Sequence, residues 1–187
     1  RNSKFFKQVT TPASSTPTAT ATLYGNSSST QSGLANAIRA LFVNDTSNFA
    51  NNGWTIGAMN SSNHAQNGYR FTITQGTNGS QYNFSNLSDA FSQYANEVDT
   101  SAVAGASNSP ASMTITVMGR WNQVDGESIT FNVDLDGTGG ATAFTLNFTD
   151  VAGTNSTTWA HAAAASETTA NKYRYDNGYV THQIPQS

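Results

Sequence analysis

The sequence predicts a mainly β protein built of antiparallel sheets, sandwich-like or barrel-like, with two short helices. Apolar and polar residues alternate along Ser112–Met118, Ser128–Leu135 and Ala141–Phe148, the period of strands with one buried face. Turn pairs such as Asn52-Gly53, Asp125-Gly126 and Asn177-Gly178 stand beside β-prone runs. The apolar spacing stretches to the helical 3.6 in two places, after Gln31 and after Phe84.

Taken in order, residues 1–17 lack a period and hold Pro12 and Pro17, which favour extended backbone, so they read as an arm or linker. Thr18–Tyr24 (TATATLY) is β-prone. Ser32–Val43 reads as a helix on which Leu34, Ile38, Leu41 and Phe42 share a face. Asn44–Asn67 is loop-like, with Trp54-Thr55-Ile56 a short strand after the Asn52-Gly53 turn. Tyr69, Phe71 and Ile73 alternate with polar residues. Gly76–Gly79 then offers a turn leading back through Gln81–Phe84. Leu87, Phe91, Tyr94 and Val98 fall on one helical stripe, with Ser85 placed to cap it, which predicts a helix over Asn86–Val98. Strand followed by helix thus occurs twice. An internal repeat is one reading of this, and chance in a chain rich in Ser, Thr and Asn is the other.

Asp99–Ala111 reads as a small-residue connector, placing a boundary near residue 105. The expected organisation is an arm (1–17), a β-rich unit with both helices (18–105) and an antiparallel β unit (106–187). In the last of these the three alternating runs form a meander. Trp159–Asn171 lies between a weak helix and a loop, and Tyr173–Val180 forms a last hairpin around Asp176-Asn177-Gly178.

Composition narrows the function. At 187 residues the chain can bury a real core, and its ten Phe, seven Tyr and three Trp must carry much of it. Charged residues are only 10%, with a formal net charge of −3, so solubility rests on hydroxyls and amides. No basic cluster is present, which argues against nucleic acid or an anionic membrane as partner. The absence of cysteine excludes disulfide scaffolds and thiolate chemistry. No apolar run is long enough to span a bilayer, and Ala160–Ala165 is interrupted by His161. A first residue of Arg1 points to a mature form or a fragment. Asn26-Ser27-Ser28, Asn147-Phe148-Thr149 and Asn155-Ser156-Thr157 are glycosylation sequons of a kind this composition also generates by chance.

The candidate chemistry is sparse. Asp134 and Asp136, two apart and followed by glycine, have the spacing of an oxygen-liganded calcium loop, but no glutamate stands where the helix-loop-helix kind needs one. As the solvent side of a strand and its turn, the same residues need no metal. His64, His161 and His182 are too dispersed for a zinc motif. No nucleophile elbow or phosphate loop occurs. Glu97, Asp99, Asp125, Glu127 and Asp150 leave paired-carboxylate catalysis formally open without positive support. Trp54, Trp121 and Trp159 are candidates for a subunit interface or a glycan-stacking platform, with core packing as the commoner use. No catalytic residue and no cofactor is expected.

Phe71-Thr72-Ile73-Thr74-Gln75-Gly76 with Leu87–Tyr94, and Leu34-Ala35-Asn36-Ala37-Ile38-Arg39 after Thr18–Tyr24, resemble a motif of the outer domains of bacterial flagellar axial proteins. In flagellin, hook and hook-associated proteins a Thr-Ile-Thr-x-x-Gly strand precedes a Leu-rich helix ending in Ala-Ile-Asn. Leu146-Asn147-Phe148-Thr149 with Asn177-Gly178-Tyr179 is similar to the strand and Gly-Tyr segment of hook proteins. The resemblance implies a structural outer domain of an extracellular filament, self-associating and without enzymatic activity. The rival expectation is an adhesin or carbohydrate-binding domain of a secreted or cell-surface protein.

Overall fold

A computed structural model describes residues 6–8, 16–25, 30–60, 68–92, 95–163 and 173–175. The elements in chain order are β1 (Phe6–Gln8), β2 (Thr18–Tyr24), α1 (Gln31–Asn44), β3 (Trp54–Ile56), β4 (Tyr69–Asn78), β5 (Ser85–Ser88), β6 (Ala90–Phe91), β7 (Asn96–Val103), β8 (Pro110–Val117), α2 (Trp121–Val124), β9 (Ser128–Val133), β10 (Thr142–Thr149), β11 (Ala160–Ala162) and β12 (Tyr173–Tyr175). Contacts divide the chain into two units, Thr16–Ala163 and, separately, Arg1–Ser15 with Ala164–Ser187. In the smaller unit β1 pairs antiparallel with β12, Phe6 opposite Tyr175.

The larger unit is two five-stranded sheets, β11-β2-β10-β9-β5 and β3-β4-β8-β7-β6. Among the described residues the chain is therefore mainly β with two short helices, as its sequence predicts. Every pairing is antiparallel except β2 with β10, which run parallel from Thr18 opposite Ala143 to Tyr24 opposite Thr149. Strict alternation sends Ala19, Ala21 and Leu23 of β2, Phe131 and Val133 of β9, and Phe144, Leu146 and Phe148 of β10 inward. From the second sheet come Phe71 and Ile73 of β4 and Met113, Ile115 and Val117 of β8. One hydrophobic cluster takes in both sets, so the core lies between the sheets.

Phe42 of α1 marks the centre of this core. Its ring stands 5.9 Å from Phe71 of one sheet and 6.0 Å from Phe131 of the other. Thr30 starts the helix by accepting the Gly33 N–H on its hydroxyl at 3.0 Å, and Leu34, Ala35, Ile38, Leu41 and Phe42 supply the buried stripe. Opposite sides of the sandwich are closed in different ways. On one side the chain passes from β5 in the first sheet to β6 in the second around Asp89, whose Oδ1 accepts the Thr100 N–H at 2.8 Å and hydroxyl at 2.9 Å. On the other, α1 packs against β3, β4 and β8. Arg39 donates from Nε to the Gly57 carbonyl at 2.8 Å and from Nη2 to that of Ile56, covering the free edge of β3.

Several expectations need correction. No helix forms over Asn86–Val98, where the chain makes β5, β6 and the start of β7. Asn86 adopts a left-handed φ of 51°, Leu87 is half-buried and Phe91 is 55% exposed, so the apparent stripe is never buried as one face. The strand–helix unit is accordingly not repeated there. Gly76–Gly79 is no hairpin turn, because β4 continues to Asn78, pairing with Pro110 past a bulge, and Gln81–Phe84 leads instead to the other sheet. Asp99–Ala111 is no connector either. Asp99–Val103 completes β7, an interior strand between β8 and β6, so no boundary falls near residue 105. The meander holds for β9 and β10, whereas β8 lies in the opposite sheet, with α2 making the crossing. Within 159–171, Ala160–Ala162 is a strand; Tyr179 and Val180 lie outside the described residues.

Candidate functional site

The densest polar cluster with chemical potential lies where α1 ends. Asp45 is the residue after the last helical turn, its N–H bonded to the Leu41 carbonyl, and it is only 4% exposed. Its Oδ1 accepts from Asn48 Nδ2 at 2.8 Å and from the Ser47 hydroxyl at 3.2 Å; its Oδ2 lies 3.0 Å from His161 Nε2 on β11. Asn48 Nδ2 also lies 2.7 Å from the same imidazole nitrogen. When Nε2 carries a proton it donates to Asp45, and when it does not it accepts from Asn48. Either form holds β11 against the end of α1.

An acid beside an imidazole is two-thirds of a nucleophilic triad. The third part is missing among the described residues. The Ser47 hydroxyl bonds the carboxylate rather than the ring, and the hydrogen bonds of His161 go to Asp45 and Asn48. What the cluster does in the described structure is clamp an edge strand. Sequence reading missed it, because Asp45 and His161 are 116 residues apart and neither belongs to a motif.

A second polar group forms at the β5–β6 corner. Asn96 Nδ2 donates to Asp89 Oδ2 at 3.2 Å and to Asp99 Oδ1 at 3.1 Å, bridging two carboxylates. Burial, and next the neighbouring charge of Asp89, push the Asp99 carboxyl above its ordinary value. Of the other carboxylates weighed in the sequence, Asp125 Oδ1 accepts the Asp150 backbone N–H at 2.8 Å, and buried Glu97 accepts from the Ser92 hydroxyl at 2.9 Å. These are corner and turn contacts.

In the glycine loop after β9 both carboxylates take up donors of the loop itself. Asp134 accepts the Gly137 N–H on Oδ1 at 2.9 Å and the Gly139 N–H on Oδ2 at 2.7 Å, while Asp136 accepts the Thr138 N–H and hydroxyl at 3.0 Å and 2.7 Å. These hydrogen bonds close the loop on itself. The hydroxyl and N–H of Thr138 hold the Asp136 carboxyl below its usual value. Among the described residues no three His, Cys, Asp or Glu side chains converge as a metal site.

Trp54, Trp121 and Trp159 are not a platform. All three are at most 5% exposed, so none offers a ring face to a sugar or to a neighbouring surface. Trp54 donates from Nε1 to the Leu135 carbonyl at 2.9 Å, Trp121 lies against Gly25, and Trp159 stands edge-on to Phe42, Phe131 and Phe144. Asn147 of one sequon is exposed on β10, while Asn155 of another accepts the Tyr24 N–H at 2.6 Å. Asn26, His64 and His182 lie outside the described residues.

No family model matches the chain, and neither a curated protein nor a solved structure is significantly similar to it. Among the described residues no helix is long and apolar enough to cross a membrane.

Proposed function

We propose that this chain is a non-enzymatic structural domain of an extracellular bacterial assembly, of the hook-like kind its motifs resemble, in which copies of the chain touch one another. What supports the reading most is the use made of its aromatic and acidic side chains. Every tryptophan and the rings of Phe42, Phe49, Phe71, Phe131, Phe144 and Phe148 are in the core, and the Asp–His pair clamps a strand edge. Of the residues carrying the flagellar resemblance, the Thr18–Tyr24 strand with its Leu34–Arg39 helix and the strands holding Phe71–Thr74 and Leu146–Thr149 keep the expected conformation, whereas Leu87–Tyr94 does not form the second helix. The rival carbohydrate-binding reading loses its three named indoles to the core.

The test is whether the chain assembles. Sedimentation over a wide concentration range, with electron micrographs of the same samples, should show ordered multimers or filaments. A chain that stays monomeric throughout would remove the proposal.

A further inference from the structure

We infer that copies of this chain join by exchanging the segment Asn155–Ala162, which passes from its own β2 to the β2 of a neighbour; the inference rests on the self-associating reading above. In the single chain this segment is a strap along the outer edge of β2. Asn155 Oδ1 accepts the Tyr24 N–H at 2.6 Å, Ser156 Oγ accepts the Thr22 N–H at 3.0 Å, and the Ser156 N–H donates to the Thr22 carbonyl at 3.0 Å. Beyond it Ala160 pairs with Thr20 and Ala162 with Thr18. The strap thus covers β2 from end to end.

Three features make the strap exchangeable. It is fed by an exposed stretch, Val151, Ala152, Gly153 and Thr154, in which only the backbone of Gly153 comes close to a sheet side chain, the ring of Tyr24. Ala160, His161 and Ala162 are themselves exposed, which leaves one side chain, Trp159, as the strap's buried anchor and the His161–Asp45 bond as its clip. No lysine, arginine, aspartate or glutamate occurs in Thr18–Tyr24 or in Asn155–Ala162, so charge does not guard this edge against a foreign strand.

The occupant is specified by the contacts already made. A second copy's strap brings the same Asn155, Ser156, Trp159 and His161 to the same acceptors, so exchange costs no native interaction and only the entropy of association opposes it. Reciprocal exchange gives a closed pair. Exchange passed on from copy to copy gives an open chain of subunits, the form a filament requires.

The chain has no cysteine, so a disulfide can report which β2 each strap covers. In the double variant T20C/A160C, assemblies formed under reduction and then oxidised should migrate as chains covalently linked between copies on a non-reducing denaturing gel. Oxidation in dilute solution should instead close the strap within each chain and abolish later assembly on concentration. Links confined within single chains in assembled material, or unimpaired assembly of the tied chain, overturn the exchange while leaving the structural reading in place. A wild-type chain that never assembles overturns both. T18C/A162C, the next pair along, serves if the first variant does not fold.

Discussion

At the scale of single residues the fold depends on a few close approaches. The backbone of Gly25, at the end of β2, lies under the indole of Trp121, and a Cβ there would stand 2.2 Å from the indole Cγ. Neither partner has room to yield, since Trp121 is buried and the Gly25 N–H is tied to the Thr149 carbonyl at 2.8 Å. Gly25→Ala should therefore cost about 1–3 kcal/mol in denaturant unfolding. Adding Trp121→Leu restores the space, so the double variant should lose less than the sum of the two single losses. Additive losses would show that the two do not interfere. Asp99 gives a pH signature. Its folded-state value lies above the unfolded value of about 3.9, so its contribution to stability is present in full below that value and is lost as pH rises through the folded one. Asp99→Asn should raise Tm at neutral pH and leave it unchanged near pH 3. Asp136 has the opposite sign, its value being lowered by Thr138, so its contribution exists above the unfolded value and fades as pH falls through the folded one. Asp136→Asn should lower Tm at neutral pH, with the difference closing in acid.

At the scale of elements, α1 is the part that completes the sandwich, and Arg39 is how it seals the β3 edge. Arg39→Met leaves the Ile56 and Gly57 carbonyls without their charged donor and should cost about 1.5–3 kcal/mol. Hydrogen exchange should quicken at β3 while amides of the interior strand β8 keep their protection; equal change in both would mean that the helix as a whole had been lost. Thr30→Ala, which removes only the cap, should cost about 1 kcal/mol. Elements defined by local pattern were legible in the sequence for this reason. TATATLY alternates without interruption, and the α1 stripe is continuous, so expected and observed bounds agree to within a residue at each end. Over Asn86–Val98 four apolar residues at helical spacing imitate a helix that their neighbours do not favour. Ser88, Asp89, Ser92 and Asn96 are weak helix formers, and Asp89 is committed to holding Thr100 across the corner. The parallel partnership of β2 with β10 and the meeting of Asp45 with His161 depend on long-range topology, which no local period encodes.

At the scale of the whole molecule, the arrangement of the sheets decides how the Thr16–Ala163 unit unfolds. The sequence places a boundary near residue 105, but cutting there would separate β7 from β8, which pair along Val98–Val103, and β4 from β8, which pair along Tyr69–Thr74. It would also split the core. Phe42 and Phe71 lie before the cut and Phe131 and Phe144 after it, yet Phe42 packs on both Phe71 and Phe131, and Phe131 stacks on Phe144 at 4.8 Å. Neither half holds a complete sheet: the first keeps β2 and β5 of one sheet without β9 and β10, and the second keeps β8 of the other without β4 and β7. Each half alone would leave inward rings and strand edges in water, which its remaining contacts cannot offset. Fragments 16–105 and 106–163 should therefore each lack a cooperative thermal transition, while 16–163 unfolds in one step with calorimetric and van't Hoff enthalpies in agreement. Mixing the halves should restore near-native circular dichroism, because the pairings that join them are the longest in the second sheet. A sharp transition in either isolated half would mean that the core divides near residue 105 after all, and the account of a single core spanning that point would fall with that result.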